Sequence, residues 1–351
     1  MGSTILRAIL MVAMGMASLM LGCGGSADEP TNGSATAGGE ASTAGLGSNA
    51  IAERFARHVQ SLQDHNVTEL NLNFADNVQG GFAGMPLQNG RAALLEQFYQ
   101  SWWTAFPEMR AEPQIVLVNG NHVAALMLVR GTHSGPLAGP SGTIAPTNRP
   151  IGLYGLILAQ YDAQGRIISD MHYADTATMM GQLGVMPGPH RAIITAGAAQ
   201  PITAIAQDNE IETANLALAQ RVIEAFNGHQ VEQLVGLFAG DGIVHDLASP
   251  NDSVGHEAIT TTLRSLFAGM SDIRTTENQL WAAGDYVVDV HNITGTHNGT
   301  MMGIAPTHRT FTIPGVDLYR ITSGRVAELW VIMDGGAMAM QLGLTGAPAK
   351  P

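Results

Sequence analysis

Between Gly90 and Phe106 the apolar residues Leu94, Phe98, Trp102 and Ala105 recur at helical spacing, which predicts an amphipathic helix with one buried face. Residues 51–63 carry a similar pattern. Downstream the period shortens. Strand-like runs cover 114–118, 122–132, 151–161 and 166–173, with turn residues between them at Gly120, at Gly135 with Pro136, and from Asp162 to Gly165. A later stretch repeats the scheme, with strands near 287–296, 311–320 and 326–333. Helices first and sequential antiparallel strands afterwards predict an α+β fold rather than a doubly wound one.

The repetition extends to individual residues. His65-Asn66-Val67 pairs with His229-Gln230-Val231, and Gly131-Thr132-His133-Ser134-Gly135 with Gly295-Thr296-His297-Asn298-Gly299. Ala145-Pro146-Thr147-Asn148-Arg149 pairs with Ala305-Pro306-Thr307-His308-Arg309, and Gly165-Arg166-Ile167 with Gly324-Arg325-Val326. Asp175 pairs with Asp334, and Gln182-Leu183-Gly184 with Gln341-Leu342-Gly343. So long a period predicts two complete domains rather than a solenoid. They are placed at 50–186 and 210–345, with a linker at 187–209 and a tail at 346–351.

The copies differ along the third strand. Val123, Ala125, Met127 and Val129 alternate with Ala124, Leu126 and Leu128, so both faces of that strand are expected to be covered. This suits an intramolecular pseudo-dimer in which the two sheets pair. In the second copy Val287, Asp289, His291 and Ile293 share one face. That face either lines a pocket or meets solvent, and solvent is the expectation.

Before the first copy the chain has a different character. One positive charge at Arg7, an apolar run from Ala8 to Leu21 and small residues at its end form a secretory signal pattern over 1–22. The run is shorter than the ~20 residues a membrane span requires. Leu19-Met20-Leu21-Gly22-Cys23 resembles a bacterial lipobox, which implies acylation of Cys23. Residues 23–49, rich in Gly, Ser, Ala and Thr, would be a flexible tether. The protein is therefore expected to be exported and lipid-anchored to a bacterial membrane, the outer one by analogy. Cys23 is the only cysteine, which excludes an internal disulfide and a Cys-based zinc cluster. The net charge of −13 argues against nucleic acid as a partner.

Taken together, the Gly-Thr-His-x-Gly, Pro-Thr-x-Arg, Gly-Arg-Ile/Val, Asp and Gln-Leu-Gly motifs, in the same order in both copies, resemble the SnoaL-like polyketide and ester cyclases of the NTF2-like superfamily. The resemblance implies two tandem cones, each a curved antiparallel sheet with N-terminal helices around an apolar pocket. It also implies ring-closing acid/base chemistry without cofactor or metal, on a small, apolar, carbonyl-bearing ligand. The pocket carboxylates would be Asp175 and Asp334.

A carboxylate enclosed in an apolar pocket is a plausible general base, because loss of water raises its proton affinity. The competing role is structural. Asp is a favoured N-cap, and helix-like residues follow both Asp175 and Asp334. His133 and His297 either position a substrate carbonyl or bond a loop at a strand end. His172 lies near Asp175, but the second copy has Val331 there. His245, Asp246, Asp289, His291 and His297 lack a tight metal-ligand spacing, and no metal is expected. The 18 methionines are read as pocket and core filling. There is no Gly-x-Ser-x-Gly elbow, phosphate loop or cysteine nucleophile, which argues against ordinary esterase chemistry and NTP use. A non-catalytic carrier of a small apolar ligand is the alternative function.

Overall fold

The computed structural model describes residues 46–139, 142–301 and 303–344. The signal pattern, Cys23 and the tail lie outside the described residues.

The first domain begins with α1 (Ser48–Gln63) and α2 (Val67–Asn73), the latter capped by Asn66. Then come β1 (Phe74–Phe82) and the short β2 (Gln88–Asn89). The predicted helix follows in three parts: α3 (Arg91–Ala93), a π-helical turn over Leu94–Tyr99, and α4 (Gln100–Ala105). The long strands are β3 (Arg110–Asn119), β4 (His122–Thr132), β7 (Pro150–Tyr161) and β8 (Ile167–Ala174). A small hairpin, β5 (Leu137–Gly139) with β6 (Gly142–Ile144), interrupts them, and α5 (Thr176–Gln182) closes the unit. The segment read as a linker contributes β9 (Ile202–Ile205), which runs parallel to β3 at the sheet edge. The strand order is β2-β1-β8-β7-β4-β3-β9.

The second domain repeats the plan. It comprises α6 (Glu210–Asn227), α7 (Val231–Gly236), β10 (Phe238–Asp246), β11 (Ser253–Val254), α8 (Gly255–Gly269), β12 (Arg274–Ala283), β13 (Tyr286–Thr296), β14 (Thr310–Thr322), β15 (Arg325–Met333) and α9 (Gly335–Gln341). Its strand order is β11-β10-β15-β14-β13-β12. A capping box between Asn209 and Glu212 starts α6.

The fold is thus α+β in two tandem domains, with open rather than closed sheets. The sheets are not purely antiparallel. β1 lies parallel to β8, and β10 parallel to β15. Each pairing is broken by a register shift after Phe74 or Phe238, and the burial along these strands does not alternate, which hid them from the periodicity.

Alternation on the central strands sends side chains to two different cores. Val123, Ala125 and Met127 of β4 join Phe55, Leu94 and Phe98 beneath the helices. Their neighbours Ala124 and Leu126 face the other way. With Ile115, Leu117 and Leu156 they meet Val288, Val316, Leu318 and Ile332 of the second sheet. Each large apolar side chain removed from water there contributes roughly 1.5–3 kcal/mol. Asn119 adds a hydrogen bond across to the Ala282 carbonyl at 3.0 Å.

The motifs that announced the duplication tie the ends of these elements together. A Cβ at Gly135 or Gly299 would collide with the Thr104 or Ala268 carbonyl, so only glycine lets the strand end sit on the helix end. Gln182 both donates to and accepts from the Gly152 backbone, and Gln341 does the same at Thr312. Gly184 and Gly343 each end a helix at φ 71°, beneath Arg149 and Arg309.

Candidate functional site

An apolar cavity of about 110 Å³ lies between the helices and the sheet of the first domain. That is room for more than a single water. Phe82, Phe98, Trp102, Met127, Val129, Leu153 and Met179 are among the side chains that wall it. Tyr99, His172 and Tyr173 bring a hydroxyl or an imidazole to the wall. β8 supplies His172 and, two residues earlier on the same face, Asp170. The π-helical turn supplies Tyr99. Such turns widen a helix locally and are frequent at functional sites.

Tyr99, Asp170 and His172 form one group. The Tyr99 hydroxyl donates a short hydrogen bond to Asp170 Oδ2 and lies 3.2 Å from His172 Nε2. His172 Nε2 is 3.3 Å from the same carboxylate oxygen. The His172 ring rests against Phe98, with centroids 4.8 Å apart. Asp170 is fully enclosed, and its Oδ1 has no partner among the described residues. Burial works against its charge, but His172, His58 and the hydrogen bonds from His172 and Tyr99 outweigh it and hold the carboxyl below its usual range. Burial, and then the Asp170 charge, push the Tyr99 phenol well above its ordinary value. Behind this group His58 is enclosed, with neither ring nitrogen bonded among the described residues, and burial lowers it to about 4.

An ionised Asp170 that accepts from Nε2 selects one tautomer of neutral His172 and leaves Nδ1 as the proton acceptor. Once Nδ1 takes a proton, the same carboxylate stabilises the imidazolium. The arrangement can therefore take up and return a proton at the wall of a largely apolar cavity.

None of the four residues expected at the site lines this cavity. Asp175 caps α5 by accepting from Ala177 and Thr178, and Asp334 caps α9 by accepting from Gly336 and Ala337. Each cap also reaches into the other domain. Asp175 Oδ1 accepts from the Gly335 backbone at 3.0 Å, and Asp334 Oδ1 accepts from the Thr176 hydroxyl at 2.6 Å. This is the geometry of the capping alternative, extended across the domain boundary. Burial raises Asp175, and the charge of Asp334 adds to the rise against the hydrogen bonds from Thr178. His133 Nδ1 accepts from the Thr147 backbone at 3.2 Å, and His297 Nδ1 from that of Thr307 at 3.2 Å. Both histidines pin the loop of the Pro-Thr-x-Arg motif.

The polar face of β13 is buried instead of meeting solvent. Asp289 is 0% and His291 6% exposed, and with Asp317 and Tyr319 of β14 they sit under the helices of the second domain. Asn278 donates to Asp289 Oδ2 at 2.7 Å. Burial, with a further push from Asp289 against the pull of His291, raises the Asp317 carboxyl to about 7.

Sequence reasoning passed over Asp170, Tyr99, His58 and Asp317. The available signal was an Asp and a His two apart on one face of a strand whose remaining positions are mostly apolar.

A family model for SnoaL-like polyketide cyclases matches residues 51–183 and 217–342. Among solved structures, a candidate polyketide cyclase from Xanthomonas campestris pv. campestris is 18% identical over 38% of this chain and 99% of its own, with a TM-score of 0.36. A SnoaL-like protein from Jannaschia sp. CCS1 is 21% identical over 41% and 99%, with a TM-score of 0.37. A protein with a ketosteroid isomerase-like fold from Catenulispora acidiphila is 22% identical over 37% and 97%, with a TM-score of 0.33. No curated protein sequence matches the chain significantly.

Proposed function

The chain belongs to the SnoaL-like polyketide cyclase family, and from that premise we propose that its first domain performs cofactor-independent acid/base chemistry on a small, apolar, carbonyl-bearing substrate. The observation that carries this reading is the Asp170–His172 pair at the wall of an otherwise apolar cavity. A hydrogen on the carbon next to a carbonyl is the proton such a site can move. His172 Nδ1 would take it while Asp170 balances the imidazolium charge, and the same nitrogen would return it after ring closure or double-bond migration. The protein ends unchanged, as a cyclase or isomerase does. On this reading Asp175 and Asp334 serve the docking of the two halves. Their reciprocal caps, and the apolar core between the sheets, support an intramolecular pseudo-dimer.

The N-terminal pattern supports export and anchoring through Cys23. Cys23→Ala would then move the protein from the membrane to the soluble fraction, and unchanged fractionation would end that reading.

The functional proposal is tested by native mass spectrometry of the full chain against a panel of small apolar ketones and esters. One ligand should bind per chain, and Ala111→Phe, which fills the cavity, should abolish binding. A complex that survives Ala111→Phe would place the ligand elsewhere. A ligand held in the cavity but never converted would make the protein a carrier.

A further inference from the structure

We propose that the second domain binds a divalent transition-metal ion through Asp289, His291 and Asp317. One ligand atom from each of these side chains lies within 4.8 Å of the others. The sheet forces the grouping. Asp289 stands directly opposite Asp317 across the β13–β14 ladder, and His291 stands opposite Gly315. Two like charges facing each other in a ladder repel, and burial makes the repulsion stronger. A Cβ at Gly315 would lie 2.9 Å from His291 Nε2, so the glycine makes room for the ring.

Two less enclosed carboxylates of this domain have arginines beside them. Asp252 has Arg191 at 2.8 Å, and Glu328 has Arg320. Among the described residues no lysine or arginine bridges Asp289 or Asp317; only His291 approaches, its Nδ1 3.5 Å from Asp289 Oδ2. Asp289 Oδ1 and Asp317 Oδ1 are both buried without a hydrogen-bond partner among the described residues. The second oxygen of each is held: Asn278 donates to Asp289 Oδ2 at 2.7 Å, and the Tyr319 hydroxyl to Asp317 Oδ2 at 3.3 Å. Carboxylates anchored through one oxygen, with the other free, are oriented as outer-shell bonds orient metal ligands.

Two carboxylates and one imidazole suit a borderline ion such as Zn²⁺ or Co²⁺ better than a soft one. Ligands on opposite sides of such an ion are at most about 4.4 Å apart, so the side chains must draw in slightly on binding. The matching positions of the first domain are Ala125, Met127 and Ile157, which confines the site to the second.

The test uses the full chain, first treated with a chelator and dialysed. Co²⁺ titration followed by visible absorption should give one ion per chain, displaced by Zn²⁺. Asp317→Asn and His291→Gln should each weaken binding by at least about tenfold, with far-UV circular dichroism unchanged, while Asp170→Asn should bind as the wild type does. If Asp317→Asn does not fold, His291→Gln decides. No stoichiometric ion, or an affinity that His291→Gln leaves intact, would overturn the proposal.

Discussion

In the first domain a buried carboxylate sits on β8, at Asp170, beside His172 and a tyrosine from a π-helical turn; in the second, buried carboxylates sit on β13 and β14, at Asp289 and Asp317, beside His291. The positions matching Asp170 and His172 are Leu329 and Val331, and the helix matching the π-helical run is a regular α-helix, α8. The two halves keep the same glycines, arginines and glutamines at the element ends and share none of these interior polar residues. Motifs shared by the copies therefore mark what holds the scaffold together. On the proposed reading, what each half does lies in the residues that differ.

The comparison breaks most visibly if the halves do not depend on each other. Leu126→Asp would place a charge in the core between the two sheets and is expected to cost roughly 4 kcal/mol or more. Urea unfolding is expected to follow one transition in the wild type and, in the variant, to split in two or shift far to lower denaturant. A change under 1 kcal/mol would mean that the halves stand alone.

His58 sharpens the contrast inside the cones, because the second copy has Val222 in its place. Its folded-state value of about 4 lies below the ordinary 6.5. The stability linked to keeping it neutral is complete above pH 6.5 and is lost as pH falls through 4, by roughly 3 kcal/mol in all. His58→Leu should flatten the stability profile between pH 7.5 and pH 5 and raise stability most at the acid end. An unaltered profile in the variant would show that another group is responsible.

The scaffold role of the caps predicts a smaller effect. Asp175→Ala and Asp334→Ala should each cost about 1 kcal/mol, with ligand binding in the cavity unchanged. A large loss of binding in either would return these residues to the site.

Much of the architecture was legible in the sequence. The helix over 91–105, the strands β4, β7 and β8, and the doubling itself follow from spacing and repetition. β1 and β10 were not legible: Asp76-Asn77 and Gly80-Gly81 in one, and Gly240-Asp241-Gly242 in the other, spoil the alternation, and both strands are broken by a register shift. The site was harder to see for a different reason. Asp175 and Asp334 stood out because the family resemblance pointed to them and they recur, and in the structure each caps the last helix of its domain. Asp170 has no counterpart, so a search for shared residues passed over it. Tyr99 was hidden by the π-helical turn, since a regular helix gives no hint that this residue reaches across to β8. Asp289 and His291 were read as solvent-facing because a polar strand face usually is, and their burial depends on the helices above.

The most direct test compares His172→Gln with Asp175→Asn, using whatever compound the cavity is found to convert and measuring kcat and KM separately. His172→Gln is expected to lower kcat by about 10²–10⁴ with little change in KM, while Asp175→Asn stays within a few-fold of wild type. A collapse of kcat in Asp175→Asn with His172→Gln unaffected would contradict the proposed role of His172.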